Sequence, residues 1–219
     1  MSNDAKSGGG TAAGPAAPRS DPRVKTRIRT TRAAAVVVVL VLLFVAPAWG
    51  RHGPVPEILR WTGYAALIAG VMGRVWCSAY IGGRKGRVIV DVGPYSLVRN
   101  PLYVFSFIGL VGIGLSTGML TVTALLAALF AVYYRGVVRG EELFLDRQHP
   151  REFGEYVRRV PRWIPRLSGY REAAEPMGLP RNVLLTIVES SAFFLAFPLF
   201  ALIAWLQDAG LLPVLLRLP

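Results

Sequence analysis

Five long apolar runs divide the chain, separated by polar stretches of unequal length and charge. At 1.5 Å per residue, a helix needs about 20 apolar residues to cross a hydrocarbon core of about 30 Å. Runs at roughly 33–49, 58–81, 101–115, 119–138 and 183–206 approach or reach that length. The pattern therefore predicts an all-α polytopic membrane helical bundle with about five transmembrane helices. The first run begins only at residue 33 and continues past the length of a signal's apolar core, so it reads as a retained helix rather than a cleaved leader. Pro54 and Pro56 break the chain before the second run. In that run Gly63, Gly70 and Gly73 offer small faces of the kind membrane helices pack through. Ser116, Thr117 and Gly118 make an uncharged turn, so the third and fourth runs read as a tight hairpin. Pro198 weakens or kinks the fifth.

Composition adds the class and the sidedness. Of 219 residues, 53% are hydrophobic, and the formal net charge is +12. Residues 1–32 start as a Gly/Ala/Ser/Pro mix with too little apolar area to order itself, and end in Arg23, Lys25, Arg27, Arg29 and Arg32. They read as a disordered basic N-terminal tail ahead of a domain at 33–206, with 207–219 a short tail. Basic residues flank the spans, which marks topology and anionic-lipid contact rather than nucleic-acid binding. Arg84, Lys85, Arg87 and Arg99 in one loop, and the arginine-rich segment 139–181, put the N-terminus and both polar segments on the cytoplasmic face. The single Cys77 excludes an intrachain disulfide, and no metal-ligand spacing is present. No G-x-G-x-x-G opens a βαβ unit, so a Rossmann-type site is excluded.

Chemistry concentrates in Gly93–Tyr103, GPYSLVRNPLY. Asn100-Pro101 reads as a helix start, with Asn as N-cap and Pro in the first turn. The N–H groups of Leu102 and Tyr103 at that helix end suit a carboxylate, and Arg99 adds a cation. Tyr95 and Tyr103 offer π faces to a cation. Glu141 or Glu142 can accept from an amine or from ribose hydroxyls. On residue physics alone, the first segment is equally a capped membrane helix with an interfacial Tyr/Arg belt. The Glu pair is then a solvated one, and Tyr133-Tyr134 part of an aromatic belt.

GPYSLVRNPLY resembles the G-P-Y-x-x-x-R-[HN]-P-x-Y signature of the isoprenylcysteine carboxyl methyltransferase-like family. These integral membrane methyltransferases include relatives of the phospholipid N-methyltransferases. A second stretch, EELFLDRQHPREFGEYVRRVPRWIP from Glu141, is similar to the family's E-E segment ending Y-x-x-Y-x-x-R-V-P-R-x-x-P. Phe153 and Tyr156 fall on its two Tyr positions, and Arg159, Val160, Pro161, Arg162 and Pro165 match its ending. The resemblance covers roughly residues 87–165. It implies S-adenosyl-L-methionine as cofactor, a cytoplasmic cofactor-binding segment and a lipophilic acceptor drawn from the bilayer.

The resemblance also implies roles by position. Arg87, Val88, Ile89, Val90, Tyr95, Asn100, Pro101, Leu102, Tyr103 and Glu141 fall where family members contact the cofactor, and Arg99 and Glu142 join them on the chemistry above. Asn100, Tyr103 and Glu141 are the catalytic candidates. This chain departs from the family at three places. Asn100 stands where His is commonest, and a carboxamide cannot shuttle a proton. His149-Pro150 replaces a Phe-Gly pair. Val137 stands where the carboxyl methyltransferases place an Arg, which leaves Arg139 or Arg135 to face an acidic substrate. Two other readings compete: an NADPH-dependent sterol or steroid reductase of related fold, and a non-catalytic membrane scaffold. Separately, Arg74 and Glu189 lie at matching depth, each about 9 Å inside its span, and are expected to pair.

Overall fold

The computed structural model describes residues 33, 36–81, 88–173 and 180–219. The basic tail 1–32 and the loop residues Arg84, Lys85 and Arg87 lie outside the described residues. The chain divides into two compact units, Met1–Val41 and Leu42–Pro219. In the first, residues 36–41 are helical. The second holds every element named below.

Among the described residues, three helices are long and apolar enough to cross a membrane: Pro54–Ile81 (α1), Leu120–Gln148 (α4), and Val183–Asp208. The last is built from α6 (Pro180–Ser191), a 3₁₀ turn at Ala192–Leu195 and α7 (Ala196–Asp208). The break falls at the 3₁₀ turn, just ahead of the expected Pro198. Helix α3 (Pro101–Ser116) is apolar but has 16 residues, about 24 Å of helix, short of a full hydrocarbon core. Two short helices, α2 (Pro94–Leu97) and α5 (Pro150–Arg159), complete the set.

The first apolar run does not continue as a helix to residue 49. It leaves the helix after Leu42, turns, and runs as β1 (Val45–Pro47). This strand pairs in parallel with β2 (Leu216–Leu218), so part of the expected tail is ordered structure. Pro47 lacks the N–H a helix needs, and Val45 is a strand former.

Packing between α1 and α3 is the most extensive in the molecule, and glycine permits it. A Cβ on Gly70 would lie 2.6 Å from Gly109 Cα, and one on Gly63 would lie 2.7 Å from Gly112 O. Without water to drive association, such close backbone approach supplies the contact. Gly114 plays the same part between α3 and α4, where a Cβ would meet Thr123 Cα at 2.8 Å.

The expected Arg74–Glu189 pair does not form. Arg74 Nε donates to Ser190 Oγ at 3.0 Å, and its Nη1 donates to Ser106 Oγ. Glu189 is exposed. Adjacent helical residues point about 100° apart, so a helix that turns Ser190 toward Arg74 turns Glu189 away. A hydrogen bond between the Ser78 and Thr186 hydroxyls, 2.8 Å apart, joins the same two helices.

Candidate functional site

Helix α4 runs ten residues past its expected end at 138 and carries both glutamates on helical backbone. Val138, Glu142 and Leu145 then share one face at i, i+4 and i+7. Val138 is fully buried and Glu142 buried, whereas Glu141, a third of a turn away, is half-buried. His149-Pro150 is the joint to α5: His149 N–H closes α4 on Leu145 O at 2.8 Å, and Pro150 opens the next helix.

Opposite α4 stands the 93–103 segment. Gly93 has φ 58°, a left-handed conformation that favours glycine, and the Tyr80 ring fills the space its Cβ would need. Asn100 occupies the N-cap position of α3, but its side chain makes no cap. It instead donates from Nδ2 to Glu142 Oε1 at 3.0 Å. Tyr103 N–H is likewise taken inside the first turn, by Asn100 O at 3.1 Å, so the expected carboxylate donor is already engaged.

Glu142 is the electrostatic hub. Arg162 approaches it with Nε at 3.1 Å and with Nη2, and Arg99 Nη1 lies 3.7 Å from Oε1. Two guanidiniums and one amide surround this buried carboxylate and give its oxygens their hydrogen-bond partners. Arg99 also donates from Nε to Val160 O at 2.8 Å. Residues 160–171 form a strap held mostly by main chain. Arg99 N–H meets Pro161 O at 2.8 Å, Arg166 N–H meets Leu97 O at 3.0 Å, and Gly93 N–H meets Arg171 O at 2.6 Å. Asp91 ties the 88–92 segment to the same region through Arg159 at 3.1 Å and Arg171 at 2.7 Å.

Helices α3, α4 and α5 and the 88–95 segment line a cavity of about 400 Å³. Val88, Ile89, Val90, Tyr95, Arg99, Asn100, Pro101, Leu102, Tyr103, Glu141 and Glu142 all line it. Of the residues expected at the cofactor, Arg87 alone is not placed there, because it falls outside the described residues. Extended backbone at 88–90 alternates its side chains: Ile89 packs on the α5 cluster and Val90 on the Cys77/Tyr95 cluster. Tyr103 Oη donates to Glu141 Oε1 at 2.7 Å. Tyr134 stacks on Phe130 at 4.0 Å and meets the Tyr103 ring at 5.1 Å, so it backs the site rather than joining a surface belt.

Arg135 and Arg139, expected to face substrate, are exposed on α4 and do not line the cavity. Phe144, Leu145, Phe153 and Tyr156 do line it, and none was expected to. Phe153 and Tyr156 carried a signal, since their i, i+3 spacing in an otherwise charged helix marks one apolar face.

Two buried phenols differ in a telling way. Tyr156 Oη donates to Tyr95 O at 2.8 Å. Tyr95 Oη is buried and has no hydrogen-bond partner among the described residues. Burial pushes both hydroxyls up from the usual tyrosine range, Tyr95 far up, and for Tyr156 the nearby Asp91 adds to the effect. Leaving a buried hydroxyl unpaired costs about 1–3 kcal/mol, so such groups call for an explanation. Tyr95 is also one of the residues that line the cavity.

Residues 60–152 match the family model of the phospholipid methyltransferases. Over this segment the chain is similar to the phospholipid methyltransferases. Two curated relatives extend the comparison. The cobalt-zinc-cadmium resistance protein CzcN of Cupriavidus metallidurans is 43% identical over 145 residues, 66% of each chain. The nickel-cobalt-cadmium resistance protein NccN of Alcaligenes xylosoxydans is 41% identical over 136 residues, 62% of this chain and 63% of that one. The chain thus spans just under two thirds of the length of either relative. No solved structure matches it. The matched segment contains the glycine contacts between α1 and α3, the 93–103 motif and both glutamates. It stops short of Phe153, Tyr156 and Arg162, which complete the cavity wall and the Glu142 cluster.

Proposed function

We propose that this protein is an integral membrane methyltransferase that binds S-adenosylmethionine in the 400 Å³ cavity and methylates a lipophilic acceptor. The observation that carries the reading is that the 88–90, 99–103 and 141–142 stretches, distant in sequence, line one cavity together. The donor set suits the cofactor. Val88, Val90, Leu102 and Leu145 give an apolar face for adenine. Glu141 meets amine or hydroxyl groups, and the Tyr103 ring presents a π face to a sulfonium, worth about 0.5–2 kcal/mol. The bound cofactor supplies the activated methyl group. The protein's part is positioning, because bringing donor and acceptor together supplies much of the rate in such a transfer. Asn100 takes the structural role of holding Glu142 and performs no proton transfer.

The two relatives are named for resistance to metal ions, and we place this chain's reaction in the same setting, acting through a methylated membrane constituent. The deciding experiment is equilibrium binding of S-adenosylhomocysteine and of NADPH to detergent-purified protein, followed by methyl incorporation from labelled cofactor into a total lipid extract. S-adenosylhomocysteine binding with labelled lipid supports the proposal. NADPH binding alone would point to the reductase reading, and binding of neither to a scaffold.

A further inference from the structure

A second cavity, about 120 Å³, lies at the other end of the bundle. Its walls come from the loop before α1, the first turns of α1, the α3–α4 turn and α7. The two cavities sit at opposite ends of α1: Arg60 lines this one and Ile81 the other, about 31 Å apart along the helix.

The polar wall is built, not incidental. Gln207 is buried, and its Nε2 donates to Leu43 O at 2.8 Å and to Leu42 O at 3.3 Å. That fixes its Oε1 toward Arg51, whose Nη2 donates to it while Nε meets Asp208 Oδ1 at 3.0 Å. Arg60, half-buried six residues into a membrane-spanning helix, donates from Nη2 to Arg51 O at 3.1 Å. It has no carboxylate within ion-pair distance among the described residues, and Glu57, one turn earlier, is exposed. Two guanidiniums therefore face one carboxylate, that of Asp208, and the cavity keeps a net positive charge. The opposite wall is apolar: Phe197 packs against Tyr64 with ring centroids 4.2 Å apart, and Phe200 continues the surface along α7.

We propose that this cavity binds the phosphate group of an anionic phospholipid, with its acyl chains lying along α7. An uncompensated cation inside a span is costly and normally finds a partner. Guanidinium matches phosphate oxygens in a bidentate fork, and basic pockets between membrane helices take anionic head groups. A single water needs roughly 10–15 Å³ of such space, so the cavity has room for a phosphate-sized group. The apolar wall selects a lipid phosphate over free inorganic phosphate.

The test is native mass spectrometry of the full chain in detergent, with phosphatidylglycerol, phosphatidylcholine or millimolar inorganic phosphate added. The expected result is one retained phosphatidylglycerol, favoured at least tenfold over phosphatidylcholine. Inorganic phosphate should not displace it. Arg60→Gln should lower retention at least tenfold, while Arg147→Gln on the far end of α4 leaves it unchanged. A photoreactive phosphatidylglycerol on the wild-type protein locates the site independently of any variant's folding, and should label α7 between Phe197 and Ala204. Equal retention of the two lipids, displacement by inorganic phosphate, or labelling confined to 139–171 would overturn the proposal.

Discussion

Asn100 Nδ2 donates to Glu142 Oε1 at 3.0 Å across the gap between α3 and α4. This one bond removes Asn100 from the capping role its position suggests and spends it on holding a buried carboxylate between two arginines. Glu142→Gln should therefore destabilise the protein. Breaking a fully buried ion pair costs about 3–5 kcal/mol, and the half-exposed Arg162 lowers the expectation here to about 2 kcal/mol. Thermal unfolding in detergent reads this directly. Asn100→His should keep most of the stability, and Asn100→Leu should lose it along with cofactor binding.

Tyr95→Phe separates stability from binding. Removing a buried hydroxyl that has no protein partner should leave the ligand-free protein as stable or more so, by up to about 1–2 kcal/mol. The same change should weaken S-adenosylhomocysteine binding about tenfold or more, roughly 1.4 kcal/mol. A melting temperature that falls, with titration calorimetry unchanged, would contradict both halves.

Tyr156 sets an alkaline limit. Burial raises its pKa above the ordinary value of 10.0, so the folded state holds the phenolic proton more tightly than the unfolded chain does. That contribution is complete below about pH 10 and is lost as pH climbs from there toward the raised folded value. Melting temperature against pH should fall more steeply above 10 in the wild type than in Tyr156→Phe. The variant should start lower, having lost its bond to Tyr95 O.

Glycines on α1 and α4 make a matched pair. Gly70→Ala puts a Cβ against Gly109 backbone and should cost about 1–3 kcal/mol, because neither helix can yield without parting. Gly140→Ala meets nothing within 4 Å and should stabilise by up to about 1 kcal/mol. Differential scanning in the same detergent compares the two.

Most of the cavity wall was legible in the sequence because the two motifs carry it in contiguous stretches, 88–90, 99–103 and 141–142. Hydropathy located the long helices for the same reason, since a span is a local property of composition. What the sequence did not reveal depends on rotation and on distant chain. Hydropathy placed Arg74 and Glu189 at one depth but says nothing of which side of α6 faces Arg74, and Ser190 takes the contact. Arg135 and Arg139 were assigned by their distance from Glu141, and both face outward. The β1–β2 pair joins residues about 170 positions apart, so no local pattern announces it.

The 160–171 strap is fastened to the 93–99 segment chiefly through peptide groups: Pro161 and Arg171 lend carbonyl oxygens, and Arg166 lends its N–H. A fastening made by main chain is indifferent to most side-chain replacement. The cavity, by contrast, is lined by residues of α3, α4, α5 and the 88–95 segment. Phe144, Leu145 or Val88 can therefore change in the cavity wall while the 93–99 segment stays in register on the strap.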